Sequence, residues 1–247
     1  MKVGLFIPCY VDQFYPDVAI STLELLEKFD VDVEYPMNQT CCGQPMANSG
    51  YEIYGKGSAD LFNKNFSKYE IIVSPSGSCA LHAKEHILAN GGPKIYELCE
   101  FLTDVLQIGA IDSSFPYKVG LHASCHGLRG LRLAKPSEIV GPDFNKPLSL
   151  LEKVKDIEVV ALERKDECCG FGGTFAVFEE AVSVSMGNDR IEDHRSHGVE
   201  IITAADMSCL MHLEGLLSRQ KSPIKVMHIA EILNGNFPKT NVNNDLK

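Results

Sequence analysis

Eight of the nine cysteines fall into two sets that repeat one order along the chain. In each set, a single Cys is followed by an adjacent Cys-Cys pair with a Gly, and then by a final Cys. The first set is Cys9, Cys41, Cys42 and Cys79, with gaps of 31 and 35 residues around Cys41-Cys42-Gly43. The second set is Cys125, Cys168, Cys169 and Cys209, with gaps of 42 and 38 residues around Cys168-Cys169-Gly170. Four thiols match the ligand count of a 4Fe–4S cluster or of a four-cysteine zinc site, so the pattern predicts two metal centres.

The adjacent cysteines favour an iron–sulfur cluster over zinc. Neighbouring side chains leave an extended backbone in opposite directions, so both reach one small ion only through a tight loop. A cluster presents several irons, and each Cys of a pair can take its own. Zinc in one or both domains remains an alternative, as part of an interaction scaffold without a redox role. A third alternative is a thiol–disulfide oxidoreductase that uses the vicinal pairs, although a vicinal disulfide is a strained ring.

Several neighbours of these cysteines have predicted roles. Gly43 and Gly170 would permit a positive φ and bring backbone N–H groups close to the metal centre. His126 is a candidate donor to a cluster sulfur or a proton carrier. His82 and His212 are interpreted as helix-capping or core histidines. The ninth cysteine, Cys99, is interpreted as a buried core residue.

Composition narrows the class of protein. The chain has 247 residues and a net charge of −10, which argues against nucleic acid as a partner. No apolar run reaches the ~20 residues of a membrane span. We expect a cytoplasmic location. Disulfides are disfavoured in the cytoplasm, so many cysteines in such a protein point to metal binding or catalysis.

The chain is an internal duplication. Residues 2–9 align with residues 118–125, the two Cys-Cys-Gly segments align, and Glu70 to His82 aligns with Glu200 to His212 at identical offsets. This predicts a first domain at 1–112, a second at 117–235 and a flexible polar tail at 236–247.

Each copy alternates apolar strands with helices, which predicts the α/β class: two domains, each a parallel sheet with helices on its faces. Strands are expected at 3–8, 31–35 and 71–74, and again at 119–122, 159–162 and 201–204. A helix is expected at 95–106. Sites in such sheets form beyond the carboxyl ends of the strands, and the repeated cysteines all follow strands.

The motifs resemble a known family. Cys…Cys-Cys-Gly…Cys repeats are similar to the cysteine-rich CCG domain, which occurs in heterodisulfide reductase and in the iron–sulfur subunits of glycolate oxidase. The segments 39–45, 124–129, 168–175 and 206–212 look like those of the lactate-utilisation protein A family. The fullest CCG motif ends in Cys-x-x-Cys, whereas here Ser76 and Asp206 stand at the first of those two positions.

The resemblance implies an iron–sulfur electron-transfer subunit, itself non-catalytic, in a multi-protein system that oxidises L-lactate to pyruvate. The implied cofactor is a 4Fe–4S cluster in each domain, and the implied partners are other iron–sulfur subunits of a lactate-utilisation complex. The missing fifth thiol argues against the disulfide-cleaving chemistry of heterodisulfide reductase.

Overall fold

Two four-stranded parallel sheets, one in each half of the chain, form the framework. The computed structural model describes residues 2–238. The first sheet has the order β2-β1-β3-β4 and the second the order β6-β5-β7-β8, with every neighbouring pair parallel. The strands of the first half are β1 (Lys2–Leu5), β2 (Asp32–Glu34), β3 (Ile71–Ser74) and β4 (Lys94–Glu97). Those of the second half are β5 (Lys118–Leu121), β6 (Glu158–Val160), β7 (Ile201–Ala204) and β8 (Lys225–His228).

Helices connect these strands and cover both sheets. The first half contains α1 (Cys9–Phe14), α2 (Pro16–Lys28), α3 (Gln44–Asn48), a 3-10 turn (Glu52–Gly55), α4 (Lys56–Phe66), α5 (Gly77–His82) with a π turn (Ala83–Ile87), and α6 (Leu98–Glu100) with a π turn (Phe101–Val105). The second half contains a π turn (His126–Gly130), α7 (Lys146–Leu151), α8 (Phe175–Phe178), α9 (Glu180–Ser196), α10 (Met207–Arg219) and α11 (Ile229–Asn234). None of the helices within residues 2–238 is long and apolar enough to cross a bilayer.

The predicted α/β class and the duplication are confirmed, because both sheets have the same strand order. The helix predicted at 95–106 is wrong at its start, since Lys94–Glu97 is a strand that pairs with β3. Only after that strand does the chain turn into helix, where the Glu97 carboxylate accepts the N–H groups of Cys99 and Glu100 at 2.7 and 3.2 Å. This segment is a strand because it pairs with β3, and the local sequence pattern does not reveal that pairing.

The two halves exchange helix contacts across their boundary. Helix α11 of the second half packs against α2 of the first, and α6 of the first packs against α7 of the second. Lys28 ties the first pair by donating to the carbonyl and side-chain oxygens of Asn234 at 2.8 and 2.6 Å. Lys146 and Asp104, 2.5 Å apart, bridge the second pair. This reciprocity gives the halves an approximate two-fold relationship.

The domain bounds at 112 and 117 stay a prediction. The predicted linker is an ordered segment in which Phe115 is fully buried and donates its N–H to the Lys155 carbonyl at 2.9 Å. Residues 239–247, which make up most of the predicted flexible tail, lie outside the described residues.

Candidate metal centres

The four predicted cysteines of the first half form a chain of contacting thiols. Cys9 begins α1 beyond the end of β1, Cys41 and Cys42 lie in the loop after β2, and Cys79 lies in the first turn of α5 after β3. The Cys9 thiol lies next to that of Cys41, the Cys41 thiol lies next to that of Cys42, and Cys42 donates to Cys79 across 3.6 Å between sulfurs. Strands β1, β2 and β3 therefore deliver these thiols to one edge of the first sheet.

The second half repeats this arrangement. The Cys125 thiol lies next to that of Cys168, the Cys168 thiol next to that of Cys169, and the Cys169 and Cys209 sulfurs lie within 4.8 Å of each other. Cys125 lies between β5 and a π turn, a local distortion that is frequent at functional sites. All nine cysteines of the chain are free thiols, so no disulfide competes with metal binding here.

Gly43 and Gly170 shape both Cys-Cys loops in the same way. Their φ angles are +91° and +85°, in the left-handed region that favours glycine. This turn points the Gly43 N–H at the Cys41 sulfur, 3.4 Å away, and the Gly170 N–H at the Cys168 sulfur, 3.3 Å away. The backbone thus donates to one sulfur of each pair, and the role of both glycines at a metal centre stays a prediction.

Hydrogen bonding concentrates thiolate character on one sulfur in each half. Bonds from Cys42 and Cys9 lower the pKa of Cys41 well below its ordinary value, with help from the Gly43 N–H. Bonds from Cys125 and Cys169 lower the pKa of Cys168 in the same way. The bond to Cys41 raises the pKa of Cys9, because that bond uses the Cys9 proton. Metals bind thiolates, and the lowered pKa of Cys41 and Cys168 favours that form of the sulfur.

A buried carboxylate lies on the seam between the halves, close to both thiol groups. Asp206, 1% exposed, accepts the Ser78 N–H at 2.7 Å from the first half and the Ser208 N–H at 3.1 Å from the second. The Tyr10 hydroxyl donates to the same carboxylate at 3.1 Å. Ser76 pairs with Asp206 as an isolated antiparallel bridge. The two positions that replace the first Cys of Cys-x-x-Cys thus face each other and join the halves.

The remaining predicted neighbours lie around the thiols. His126 Nε2 is 3.4 Å from the Gln44 amide nitrogen of the first half, so it lies on the seam. His82 stacks on His86 with ring centroids 4.7 Å apart, and His212 Nε2 lies 3.3 Å from the Ser183 carbonyl oxygen. His82 and His212 are half-buried beside the Cys-Cys-Gly loops, and the prediction that they cap helices or lie in the core is wrong.

Cys99 is separate from both thiol groups. It is fully buried in α6 among core residues, as predicted. Burial raises the pKa of its thiol well above the ordinary value, and the nearby Glu97 carboxyl adds to this shift.

The residue that the motif search missed is His122. A ring nitrogen of His122 and the sulfurs of Cys169 and Cys209 all lie within 4.8 Å of one another. With the bond from Cys169 as the larger cause, His122 helps to lower the pKa of Cys209 to about 7. The signal was in the repeat alignment, which places this polar residue opposite Phe6.

Known proteins resemble this chain in the cysteine-rich segments and over nearly the whole length. The family described as a cysteine-rich domain, CCG, matches residues 3–84 and 119–214. A lactate utilization protein A of Halalkalibacterium halodurans is 40% identical over 246 residues, which cover 95% of this chain and 97% of that protein. The lactate utilization protein A of Bacillus subtilis is 38% identical, over 95% of this chain and 99% of its own length. The chain belongs to the CCG cysteine-rich domain family and, within it, to the lactate utilization protein A family.

In this CCG protein each matched segment contains one complete set of four cysteines, and Cys99 lies outside both. A crystal structure of a hypothetical protein from Helicobacter pylori is similar in fold, with a TM-score of 0.58 and 14% identity. The match covers 97% of this chain and 49% of that longer one.

Proposed function

We propose that this chain is an electron-transfer subunit of a multi-protein system that oxidises L-lactate to pyruvate. One 4Fe–4S cluster would be held by Cys9, Cys41, Cys42 and Cys79, and a second by Cys125, Cys168, Cys169 and Cys209. The observation that carries the proposal is the contiguous group of four thiols in each half of a chain that is 40% identical to a lactate utilization protein A. The proposed location is the cytoplasm.

The residues present fit an iron–sulfur cluster. Each group offers four sulfurs, and each Cys-Cys loop turns at a glycine whose N–H points at one of them. Such a cluster supplies one-electron transfer at a potential that the protein sets. This chain's own contribution is to hold the sulfurs, donate backbone N–H groups to them and exclude water with the buried Cys42 and Cys169.

The proposed partners are other iron–sulfur subunits of a lactate-utilisation complex. Oxidation of the lactate alcohol to the pyruvate ketone releases two electrons and two protons. In this proposal the oxidation takes place on a partner subunit, and the electrons pass one at a time through the two centres of this chain.

Zinc is the second candidate occupant, and a specific observation favours it in the second half. His122, Cys169 and Cys209 form a mixed nitrogen and sulfur set of the kind that holds zinc. A zinc-stabilised scaffold would fold around such a site without carrying electrons.

Metal analysis of anaerobically purified protein tests the proposal. We expect about eight irons and eight sulfides per chain, visible absorbance near ~400 nm, and an EPR signal after reduction. Lactate should reduce the protein only when its partner subunits are present. Stoichiometric zinc without iron, in protein that never met oxygen, would sink the proposal and favour the scaffold.

A further inference from the structure

The two thiol groups differ in what lies behind them. In the first half Phe6, which follows β1, is fully buried and packs edge-to-face on Phe62 and Phe66, with ring centroids 5.0 and 5.7 Å away. At the matching position of the second half, His122 follows β5 and is 1% exposed. Neither of its ring nitrogens has a hydrogen-bond partner among residues 2–238. An aromatic hydrocarbon in one half is thus replaced by an unpartnered imidazole in the other.

A buried imidazole without a partner carries a desolvation penalty that packing does not offset. Leaving a buried polar group unsatisfied is destabilising, so such a group calls for an explanation. The backbone of His122 is fixed, since its N–H donates to the Thr203 carbonyl at 2.7 Å. The side chain is therefore held in this position by the sheet, where the polar groups that one ring nitrogen faces are the sulfurs of Cys169 and Cys209.

The sulfurs of the second thiol group are the neighbours that supply this partner. One ring nitrogen lies within 4.8 Å of both the Cys169 and the Cys209 sulfur. A metal bonded to a thiolate at about 2.3 Å and to an imidazole at about 2.0 Å joins atoms up to about 4.3 Å apart. Among residues 2–238, this is the one group of three or more His, Cys, Asp or Glu side chains whose ligand atoms all lie within 4.8 Å of one another, whereas the four thiols of each half follow one another in a row.

The wall behind His122 is polar where the first half is aromatic. A side chain added at Gly120, two residues earlier on the same face, would collide with the ring of the fully buried His194. The corresponding collision at Gly4 in the first half is with Tyr69. Arg190, also fully buried, lies one turn of α9 before His194 and pairs with Asp193 at 2.9 Å. His122 therefore does not belong to an apolar core that merely tolerates it.

We propose that His122 is a metal ligand of the second centre, which gives that centre a donor set of four cysteines and one histidine. The first centre, with Phe6 in the same place, has four cysteines alone. The inference rests on the proposed clusters and makes them chemically different. A nitrogen donor that only one of the two clusters has would give the two centres different reduction potentials.

Nitrogen spectroscopy on the full-length protein tests this. The chain is produced with ¹⁵N-histidine, isolated anaerobically and reduced, and its pulsed EPR spectrum is compared with that of the unlabelled protein. A Cys42→Ser background removes the first centre so that the signal comes from the second. We expect the coupling of a directly bonded nitrogen, changed by the isotope, in the wild type and in Cys42→Ser. It should be lost in His122→Phe and retained in His126→Gln.

The reciprocal variant is Phe6→His, which offers an imidazole to the first centre. We expect the potentials of the two centres to move closer together in His122→Phe, and also in Phe6→His. If His122→Phe does not fold, a coupling that survives His126→Gln, His194→Gln and His212→Gln, one at a time, supports the same assignment.

Two results would overturn the inference while leaving the proposed function intact: an iron-loaded wild type without a bonded nitrogen, or a coupling that persists in His122→Phe. Absence of iron from the wild type would instead remove the proposed function, and the ligand assignment with it.

Discussion

At the scale of single residues, eight of the nine thiols lie in two groups of four, one group in each half. The ninth, Cys99, belongs to neither group. We expect Cys42→Ser and Cys169→Ser each to lower iron from about eight to about four atoms per chain, because a hydroxyl is a poor ligand for cluster iron. Iron and sulfide analysis after anaerobic purification measures this. Cys99→Ala is the matched control. It should keep its iron and lose only packing energy, on the order of 1–2 kcal/mol.

Alanine substitutions at Gly43 and Gly170 separate the cost of a left-handed backbone from the cost of a steric clash, because both glycines have a similar positive φ but different surroundings. A Cβ on Gly170 would lie 2.6 Å from the Ser183 carbonyl oxygen, whereas a Cβ on Gly43 would meet nothing closer than 3.7 Å. Gly43→Ala should therefore cost only the left-handed backbone, about 1–2 kcal/mol, and Gly170→Ala clearly more. Urea unfolding of the metal-free protein compares the two. Equal losses would show that the second loop relaxes away from Ser183.

At the scale of elements, two helix N-caps affect how the stability of the fold depends on pH. The helix after the fourth strand of each half begins at a different titratable residue. Glu97 caps α6, and burial raises its pKa to about 8 from the ordinary 4.5. Between these values the unfolded chain has lost the proton that the folded chain keeps, so stability falls as pH rises from about 4.5 to about 8. The loss is on the order of 5 kcal/mol. Glu97→Gln keeps an acceptor oxygen and should flatten this slope in denaturant titrations of the metal-free protein.

His228 caps α11 at the matching position and has the opposite effect. Burial lowers its pKa to about 4 from 6.5. Between these two values His228 is protonated in the unfolded chain and neutral in the folded chain. Stability therefore falls as pH drops from about 6.5 to about 4. His228→Asn retains a capping oxygen for the Ala230 N–H and should remove on the order of 3 kcal/mol of acid sensitivity. If the variant loses as much stability at acid pH as the wild type, other histidines cause that loss.

For the whole molecule, the decisive feature is the seam at Asp206. Asp206→Ala would leave the N–H groups of Ser78 and Ser208 without this acceptor and remove one of the two acceptors of the Tyr10 hydroxyl, and we expect a loss of about 3–5 kcal/mol. Tyr15→Phe is the control, since it removes an exposed bond between the halves, from the Tyr15 hydroxyl to Glu214 at 3.0 Å. That variant should lose less than about 1 kcal/mol. Urea unfolding measures both, and similar losses would show that the seam depends little on Asp206.

The sequence by itself determined the α/β class, the duplication and the eight convergent thiols. Strand periodicity and motif spacing are local properties, and parallel strands necessarily bring their carboxyl ends to one edge. The same reasoning identified Cys99 as a core residue from its counterpart Ala230.

Tertiary structure alone decided the rest. The segment 94–97 became a strand because β3 offered a partner, which no local pattern contains. His122 acquired its place beside Cys169 and Cys209 through β7 and the loop after β6, distant in sequence. Asp206 joined the halves through contacts that span more than a hundred residues. Such encounters depend on how the elements pack in three dimensions, and residue spacing along a chain cannot encode them.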